Sequence, residues 1–526
     1  MTFDFIIQNG TINDGSGGKP FSADLGVEKN KIIEIGNLEK AAAKEIINAE
    51  GKCVTPGFVD ILDHSDSFWT LFKIPRLDSK ITQGVTTVVG GNCGSSPAPL
   101  LSEEAIKSIQ KWTDIGNVYV NWRTVGEFLD EVQKTKLGLN FATLIGHETL
   151  RRGLLGDEVR KITIREVEAM DEMLKKGLNE GAFGMSTGLV FSHAKLASFE
   201  EIRILSETLK KENAFYASHI RGEVEDLLPS VNETLRLGRE TGISIEISHL
   251  KAIGKAYWPD MKKALEMIGT ASEEGVQIEF DVYPYTATGS VLYILLPDWV
   301  SSGGRKKMIA RLKDLDLRKK IIKEMKQLNY DYHSLIVSIC PRNKNIIGKK
   351  IGAIAANQEI SCEEAIIELL ISANGQVVVF NEVLSEENIE LALKNNLSTV
   401  ASADAAYNTD YVRTGEMVHP RCFGAFSKIL GRYVREKKIL KLEEAIHKMT
   451  SKPAQKVGLK KRGLLKNNYF ADIVIFDPET IADRADFQNP YQYSEGIDYV
   501  LVNGKMVIRK GRHTGELAGK VLRKND

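Results

Sequence analysis

Four short stretches carry side chains able to hold a metal or move a proton: Cys93 in GGNCG, His219 in ASHIRGE, His249 in EISHLKA and Asp404 in ASADAA; a further histidine, His64, stands in GFVDILDHSD. A thiolate and two imidazoles are donors that zinc favours, and three such ligands leave a fourth position open for water, as catalytic zinc requires. Water on zinc loses a proton near neutrality, and a carboxylate such as Asp404 can take that proton and hand it to a leaving nitrogen. Each signal is weak alone, because a single His or Cys beside an apolar run is usually a satisfied or packed residue. Their weight is joint, and joint action needs a scaffold that gathers distant positions around one cavity.

The middle of the chain has the pattern of such a scaffold. Apolar strands alternate with helical segments at intervals of roughly thirty residues, the rhythm of βα units in a parallel sheet. Candidate strands end at His64, Cys93, His147, Thr187, His219, His249, Tyr283 and Asp404, with Val377-Val378-Val379-Phe380 as a ninth, one more than an eightfold barrel accepts. In a barrel every strand carboxyl end opens on one face, which is where the candidate ligands fall. The expected fold class is therefore α/β, a distorted (β/α)8 TIM-type barrel over 55–461. Strand-like runs with Gly and Asn punctuation at both ends of the chain, Phe5-Ile6-Ile7 and Lys31 to Ile35 at one and Ala471 to Phe476 and Tyr499 to Lys505 at the other, predict a small β-sandwich built from 1–54 and 462–526. The Lys/Arg-rich passage within 288–345 predicts an insertion beside the barrel mouth, either a lid or a solvated amphipathic helix pair.

Composition narrows the function. Lys+Arg and Asp+Glu are 70 each in 526 residues, so no global field favours nucleic acid or an anionic membrane. No apolar run is long enough to cross a bilayer, the start MTFDFIIQNG carries no basic leader, and Cys53, Cys93, Cys340, Cys362 and Cys422 form no CxxC pair; the expectation is a cytoplasmic protein acting on a small molecule. His147 is expected to be structural or to support the ligands, with Glu148 and Arg151 as partners. His193 and His419 have weaker claims, and His333, His447 and His513 lack companion ligands.

At these motifs the sequence resembles the D-aminoacylase (N-acyl-D-amino-acid deacylase) branch of the amidohydrolase superfamily. The likeness runs through PGFVDILDHSD, GVTTVVGGNCGSSPAP, ASHIRGE, ISHLKA, DVYPYTA, HPRCFGAFSKILGRYVRE and ADIVIFDP. It implies zinc held by Cys93, His219 and His249, a catalytic Asp404, and substrate contacts from Lys251, Tyr283 and Arg421. A planar guanidinium able to grip a carboxylate through two parallel hydrogen bonds makes Arg421 the preferred anchor for an amino-acid carboxylate. The branch writes its first strand HxH, whereas here Leu62 replaces the first histidine and only His64 remains. Leucine cannot coordinate, so a single tightly bound zinc is expected, with His64 as a distant ligand or a partner of the bound water. Asp63 is one residue out of phase and is expected to point to the opposite face. Ala405 stands where the branch usually has glycine after the aspartate, and its methyl is expected to narrow the pocket.

The expected activity is zinc-dependent hydrolysis of N-acyl-D-amino acids, with zinc-bound hydroxide as nucleophile and Asp404 as general base and acid. The alternatives are a cyclic amide hydrolase of the dihydropyrimidinase or dihydroorotase type, and a catalytically silent binding protein on the same fold. The D preference comes from the resemblance alone.

Overall fold

The computed structural model describes residues 2–102, 105–106, 115–156, 158–328 and 330–526. Its centre is a ring of eight parallel strands: Phe58–Asp60, Val85–Gly90, Asn140–Thr143 continued by Ile145–Gly146, Gly184–Gly188, Phe215–His219, Ser244–Ile247, Ile278–Val282 and Ser398–Val400. These runs are rich in Val, Ile and Phe and are buried along most of their length, as strands covered by helices on the outside and packed side chains within must be. Helices between them are amphipathic, and two begin with reciprocal Thr/Glu caps, Thr124 with Glu127 and Thr163 with Glu166.

The ring closes between its first and last strands just beyond their ends. Asp63 and Asp404 form a parallel bridge, Ala403 N donates to Leu62 O at 3.1 Å and His64 N donates to Asp404 O at 3.3 Å. A fully buried lysine stands behind this seam. Lys80 Nζ lies 2.8 Å from Asp60 Oδ2, 3.1 Å from Asp63 Oδ2 and 2.9 Å from Asp404 O, and it also bonds Ser402 Oγ. Two carboxylates, a hydroxyl and a carbonyl around one ammonium meet the requirement that a buried charge be paired and hydrogen-bonded; removing one partner from such a cluster costs about 3–5 kcal/mol.

Several strands stop earlier than the sequence suggests. The residues expected at strand ends at positions 64, 93, 249 and 404 sit two to four residues past the hydrogen-bonded strand, in the loops over the barrel mouth, while His219 is the last residue of its own strand. His147 is not a strand end: it opens the helix His147–Leu155, and its Nε2 pairs with Glu201 at 2.8 Å instead of with Glu148 or Arg151. Arg151 joins the same Glu201 carboxylate, so the three form a buried clamp between two helices of the barrel wall.

Both ends of the chain build two sheets packed face to face. One, of four strands, uses Thr2–Gln8, Asp24–Glu28, Lys31–Gly36 and Ala42–Asn48; the other, of seven, carries N-terminal and C-terminal strands together, with Cys53–Pro56 antiparallel to Ile473–Phe476. Ile7, Val27 and Ile47 from the first meet Ile12, Ile475 and Leu501 from the second in a shared core. Cys53–Pro56 lies wholly in this sheet, so the chain passes into the barrel after Pro56, slightly later than 54. The Asn503-Gly504 turn, with both φ values positive (49° and 75°), joins Ile497–Val502 to Lys505–Arg509.

The surplus strand belongs to the insertion. Val378–Glu382 pairs antiparallel with both Ala287–Val291 and Ile336–Ile339, and the insertion runs from 287 to 382, beyond the expected 345. The basic passage forms two helices, Gly304–Lys313 and Leu315–Gln327, whose Met308, Leu312, Ile321 and Met325 are buried with Ile366 and Leu370 in a core separate from that of the barrel. The two helices are packed into this core and are not a solvated pair. Among the described residues no helix is long and apolar enough to cross a membrane.

Candidate metal centre

The second-strand loop presents Cys93 through a tightly specified backbone. Asn92 Nδ2 donates to Ile61 O at 3.2 Å and to Val89 O at 2.8 Å, fastening the loop across the first two strands. Cys93 then takes a left-handed backbone, φ 50°, and Gly94 follows at φ 79°, where a Cβ would lie 2.7 Å from Gly188 N. Only glycine allows that approach to the fourth strand, which accounts for the NCG triplet.

His219 ends the fifth strand and His249 follows the sixth. His249 also holds a left-handed backbone, φ 38°, as does Ala403 beside Asp404, φ 53°. Such conformations cost a non-glycine residue about 1–3 kcal/mol and persist where the surroundings dictate them. For His249 the dictating group is Asp281, whose Oδ1 accepts the His249 N–H at 2.9 Å; burial pushes the Asp281 carboxyl up to about 8.

These constraints bring one ligand atom each of Cys93, His219 and His249 within 4.8 Å of one another. Cys93 Sγ and His249 Nε2 are 3.6 Å apart, and the two imidazoles stand perpendicular with centroids 4.3 Å apart. A tetrahedral zinc, about 2.3 Å from sulfur and about 2.0–2.1 Å from nitrogen, separates those two donors by about 3.6 Å, so the spacing fits zinc without rearrangement. Burial, reinforced by the charges of Lys251 and Arg421, holds the His249 imidazole well below its usual pKa. That keeps it neutral, the form that ligates. His64 is not among these three. Its backbone serves the seam, and Leu62, buried in the main core, supplies no donor. Asp63 turns to Lys80 and Ser65, away from the three donors.

The remaining site residues form two ion pairs. Asp404 Oδ2 accepts from Arg421 Nε at 3.0 Å and Oδ1 accepts from Ala405 N at 2.9 Å. Arg421 begins the helix Arg421–Lys428, its guanidinium lies 4.6 Å from the centre of the Tyr283 ring, and its backbone N–H donates to His419 Nδ1 at 3.1 Å. With Nδ1 accepting, His419 Nε2 donates to Ala287 O at 3.1 Å, which ties the Arg421 helix to the first strand of the insertion. Lys251 Nζ pairs with Glu223 and lies 2.9 Å from His249 Nδ1. The Ala405 methyl does not narrow the site: it is buried behind Asp404 with Ile74, Tyr407 and Phe423.

The wall beside Cys93 is apolar. Phe191 from the barrel and Val291, Ile339 and Val378 from the insertion pack against it, with Tyr293 and Ile294 partly exposed at its edge. A match to the model of the Amidohydrolase family covers residues 45–281 and 376–508, which includes all three donors, Asp404 and Arg421. The chain belongs to the amidohydrolase family. The unmatched interval, 282–375, falls almost entirely within the insertion of this amidohydrolase. Over 99% of its length the chain is 33% identical to a D-aminoacylase of Alcaligenes xylosoxydans xylosoxydans, of which it covers 97%. It also superimposes on a crystal structure of N-acyl-D-glutamate deacylase from Bordetella bronchiseptica, complexed with zinc and a phosphonate mimic of the tetrahedral intermediate; the TM-score is 0.83, with 30% identity over 99% of this chain and 100% of that one. A D-aminoacylase structure described as having a binuclear metal centre, with one-metal activation and second-metal attenuation, gives a TM-score of 0.84 at 30% identity, again over 99% and 100%.

Three further charged residues stand around the centre of this amidohydrolase or behind it. Glu223 sits at the end of ASHIRGE, Asp281 opens DVYPYTA and Lys80 lies on a short helix behind the seam. The first two stand within recognisable motifs, and their carboxylates, next to a ligand-rich strand end, were the available clue. A lysine on a helix reads as a surface residue, so nothing local marks Lys80.

Proposed function

We propose that this chain is a zinc-dependent deacylase of N-acyl-D-amino acids, selective for apolar side chains. The observation that carries the reading is the convergence of one ligand atom each of Cys93, His219 and His249 within 4.8 Å, with Cys93 Sγ and His249 Nε2 3.6 Å apart. The relatives named for D-amino-acid deacylation supply the substrate class and its hand. With three donors gathered and Leu62 unable to add an imidazole, one zinc is the expected complement. When bound, zinc supplies Lewis acidity and makes a water acidic enough to attack near neutrality.

The protein's own groups do the rest. Arg421 and Lys251 are the cations that receive the substrate carboxylate. Arg421 keeps Nε on Asp404 and has its two Nη groups to offer, in the planar geometry that a carboxylate matches. Asp404, held by Arg421 and Ala405 N, takes the proton released as the water oxygen bonds to the acyl carbon. It returns that proton to the nitrogen as the C–N bond breaks, giving a carboxylic acid and a free amine. Tyr283 underlies the guanidinium and restrains its plane.

Arg421→Lys keeps the charge and loses the fork. The expected result is a kcat/KM lower by about 10–100-fold, carried mainly by KM, which corresponds to losing one charge-assisted hydrogen bond of about 1.5–3 kcal/mol. Steady-state kinetics on one N-acetyl-D-amino acid measures it.

The apolar wall beside Cys93 sets the side-chain preference. A leucyl or methionyl side chain gains about 1.5–3 kcal/mol by burial there, whereas a carboxylate against the same surface is stripped of water without a partner. The deciding experiment assays released amine from N-acetyl-D- and N-acetyl-L-leucine, -methionine, -aspartate and -glutamate, with and without a chelator. The expected result is hydrolysis of the D-leucine and D-methionine derivatives at least ~100-fold faster than the acidic ones, abolished by chelation and restored by zinc. Inactivity toward every member with zinc bound would overturn the deacylase reading, and faster turnover of the acidic pair would overturn the side-chain assignment.

A further inference from the structure

One buried histidine has no part in the chemistry above. His419 stands two residues before Arg421 and is 1% exposed. Three aromatic rings enclose it, those of Tyr285, Phe380 and Phe487, with centroids 5.4, 5.2 and 5.0 Å from its own and planes nearly perpendicular to it.

The helix Arg421–Lys428 needs what this ring supplies. A helix leaves its first four N–H groups without intrahelical partners, and Pro420 at the cap offers no side-chain bond. His419 meets two of these groups: its Nδ1 accepts from Arg421 N at 3.1 Å and its carbonyl accepts from Cys422 N at 3.0 Å. A neutral imidazole that accepts at Nδ1 carries its proton on Nε2, and that N–H donates to Ala287 O at 3.1 Å. Burial, with the Arg421 charge beside it, holds the imidazole well below its usual pKa and so keeps it neutral.

The insertion grips the same turn again at Met417, whose N–H donates to Ser338 O at 2.9 Å and whose carbonyl accepts from Ser338 Oγ at 2.6 Å. Its first strand also runs past the guanidinium, since a Cβ on Gly289 would stand 3.6 Å from Arg421 Nη2. The insertion thus places the turn, and the His419 ring is the link that reaches the arginine itself.

We infer that His419 is the positioning residue of the carboxylate clamp: Nδ1 fixes the first N–H of the Arg421 helix, and Nε2–H registers that helix against the insertion. The inference rests on the proposed role of Arg421 but not on the hand or side chain of the substrate.

A double-mutant cycle on the zinc-loaded protein tests it, with KM for N-acetyl-D-leucine and the Kd of its product D-leucine as readouts. His419→Phe fills the aromatic cage and makes neither bond, so both constants are expected to rise about 10-fold. His419→Asn keeps an acceptor near the Nδ1 position and is expected to recover most of that loss. In an Arg421→Lys background His419→Phe is expected to add less than about 2-fold, because the fork it positions is already gone. A role in stability alone gives the full effect in both backgrounds. Wild-type constants in a folded His419→Phe protein would overturn the assignment, as would additive effects or an asparagine variant no better than phenylalanine. If His419→Phe does not fold, His419→Gln, which reaches Ala287 O but leaves Arg421 N without its acceptor, takes its place in the cycle. A wild-type protein that binds D-leucine without hydrolysing N-acetyl-D-leucine would sink the deacylase reading and leave the cycle readable through Kd.

Discussion

Cys93→Ala is expected to abolish stoichiometric zinc and reduce kcat/KM by more than ~100-fold, the upper end of what loss of an outer-sphere partner costs. The thiolate is the one anionic donor in the set, and without it two neutral imidazoles face a dication in a buried pocket. The backbone does not compensate, since Asn92 and Gly94 still hold position 93 in its left-handed turn and aim a methyl at the ion. Alanine is smaller than cysteine and inherits the same φ, so the metal-free variant is expected to fold with a melting temperature within a few degrees of the wild type. Metal analysis after dialysis, paired with circular dichroism, checks both halves. Full zinc occupancy in the variant would remove Cys93 from the ligand set.

Asp404→Asn is expected to leave zinc bound and to lower kcat by about 10²–10⁴-fold, the range for removing a proton-transfer group. Asn is nearly isosteric, so its oxygen can still accept from Arg421 Nε or Ala405 N, and the seam, which uses the Asp404 backbone, is untouched. What disappears is the ability to take and return a proton. A KM within a few-fold of wild type together with the fall in kcat separates this from a positioning defect. A variant with wild-type kcat would assign the proton transfer to another group.

The candidate ligands were legible because each follows a short strand-like run, and a barrel converts that one-dimensional regularity into convergence at a single mouth. The end strands were legible for a similar reason, down to the Asn503-Gly504 turn. The limits have physical causes. Val378–Glu382 has the same apolar pattern as a barrel strand, and composition does not encode whether its partners run parallel or antiparallel. The basic helices of the insertion look solvated because their charges outnumber Met308, Leu312, Ile321 and Met325, the few side chains that make its core. Strand ends were placed late because the apolar run continues into ordered loops that are buried without being paired. Glu223 escaped notice because its ion-pair partner Lys251 reaches it only after the fifth and sixth strands align side by side.

The pairing of Cys53–Pro56 with Ile473–Phe476 sets the order in which this protein can mature on the ribosome. At ~5–20 residues per second, the earlier strand waits roughly 20–80 s for its neighbour to emerge. Throughout that wait the nascent chain exposes an unsatisfied sheet edge, and the ring has no closing strand until Ser398–Val400 has been made. Partial products therefore carry an exposed edge and an open ring until the C-terminal strands arrive.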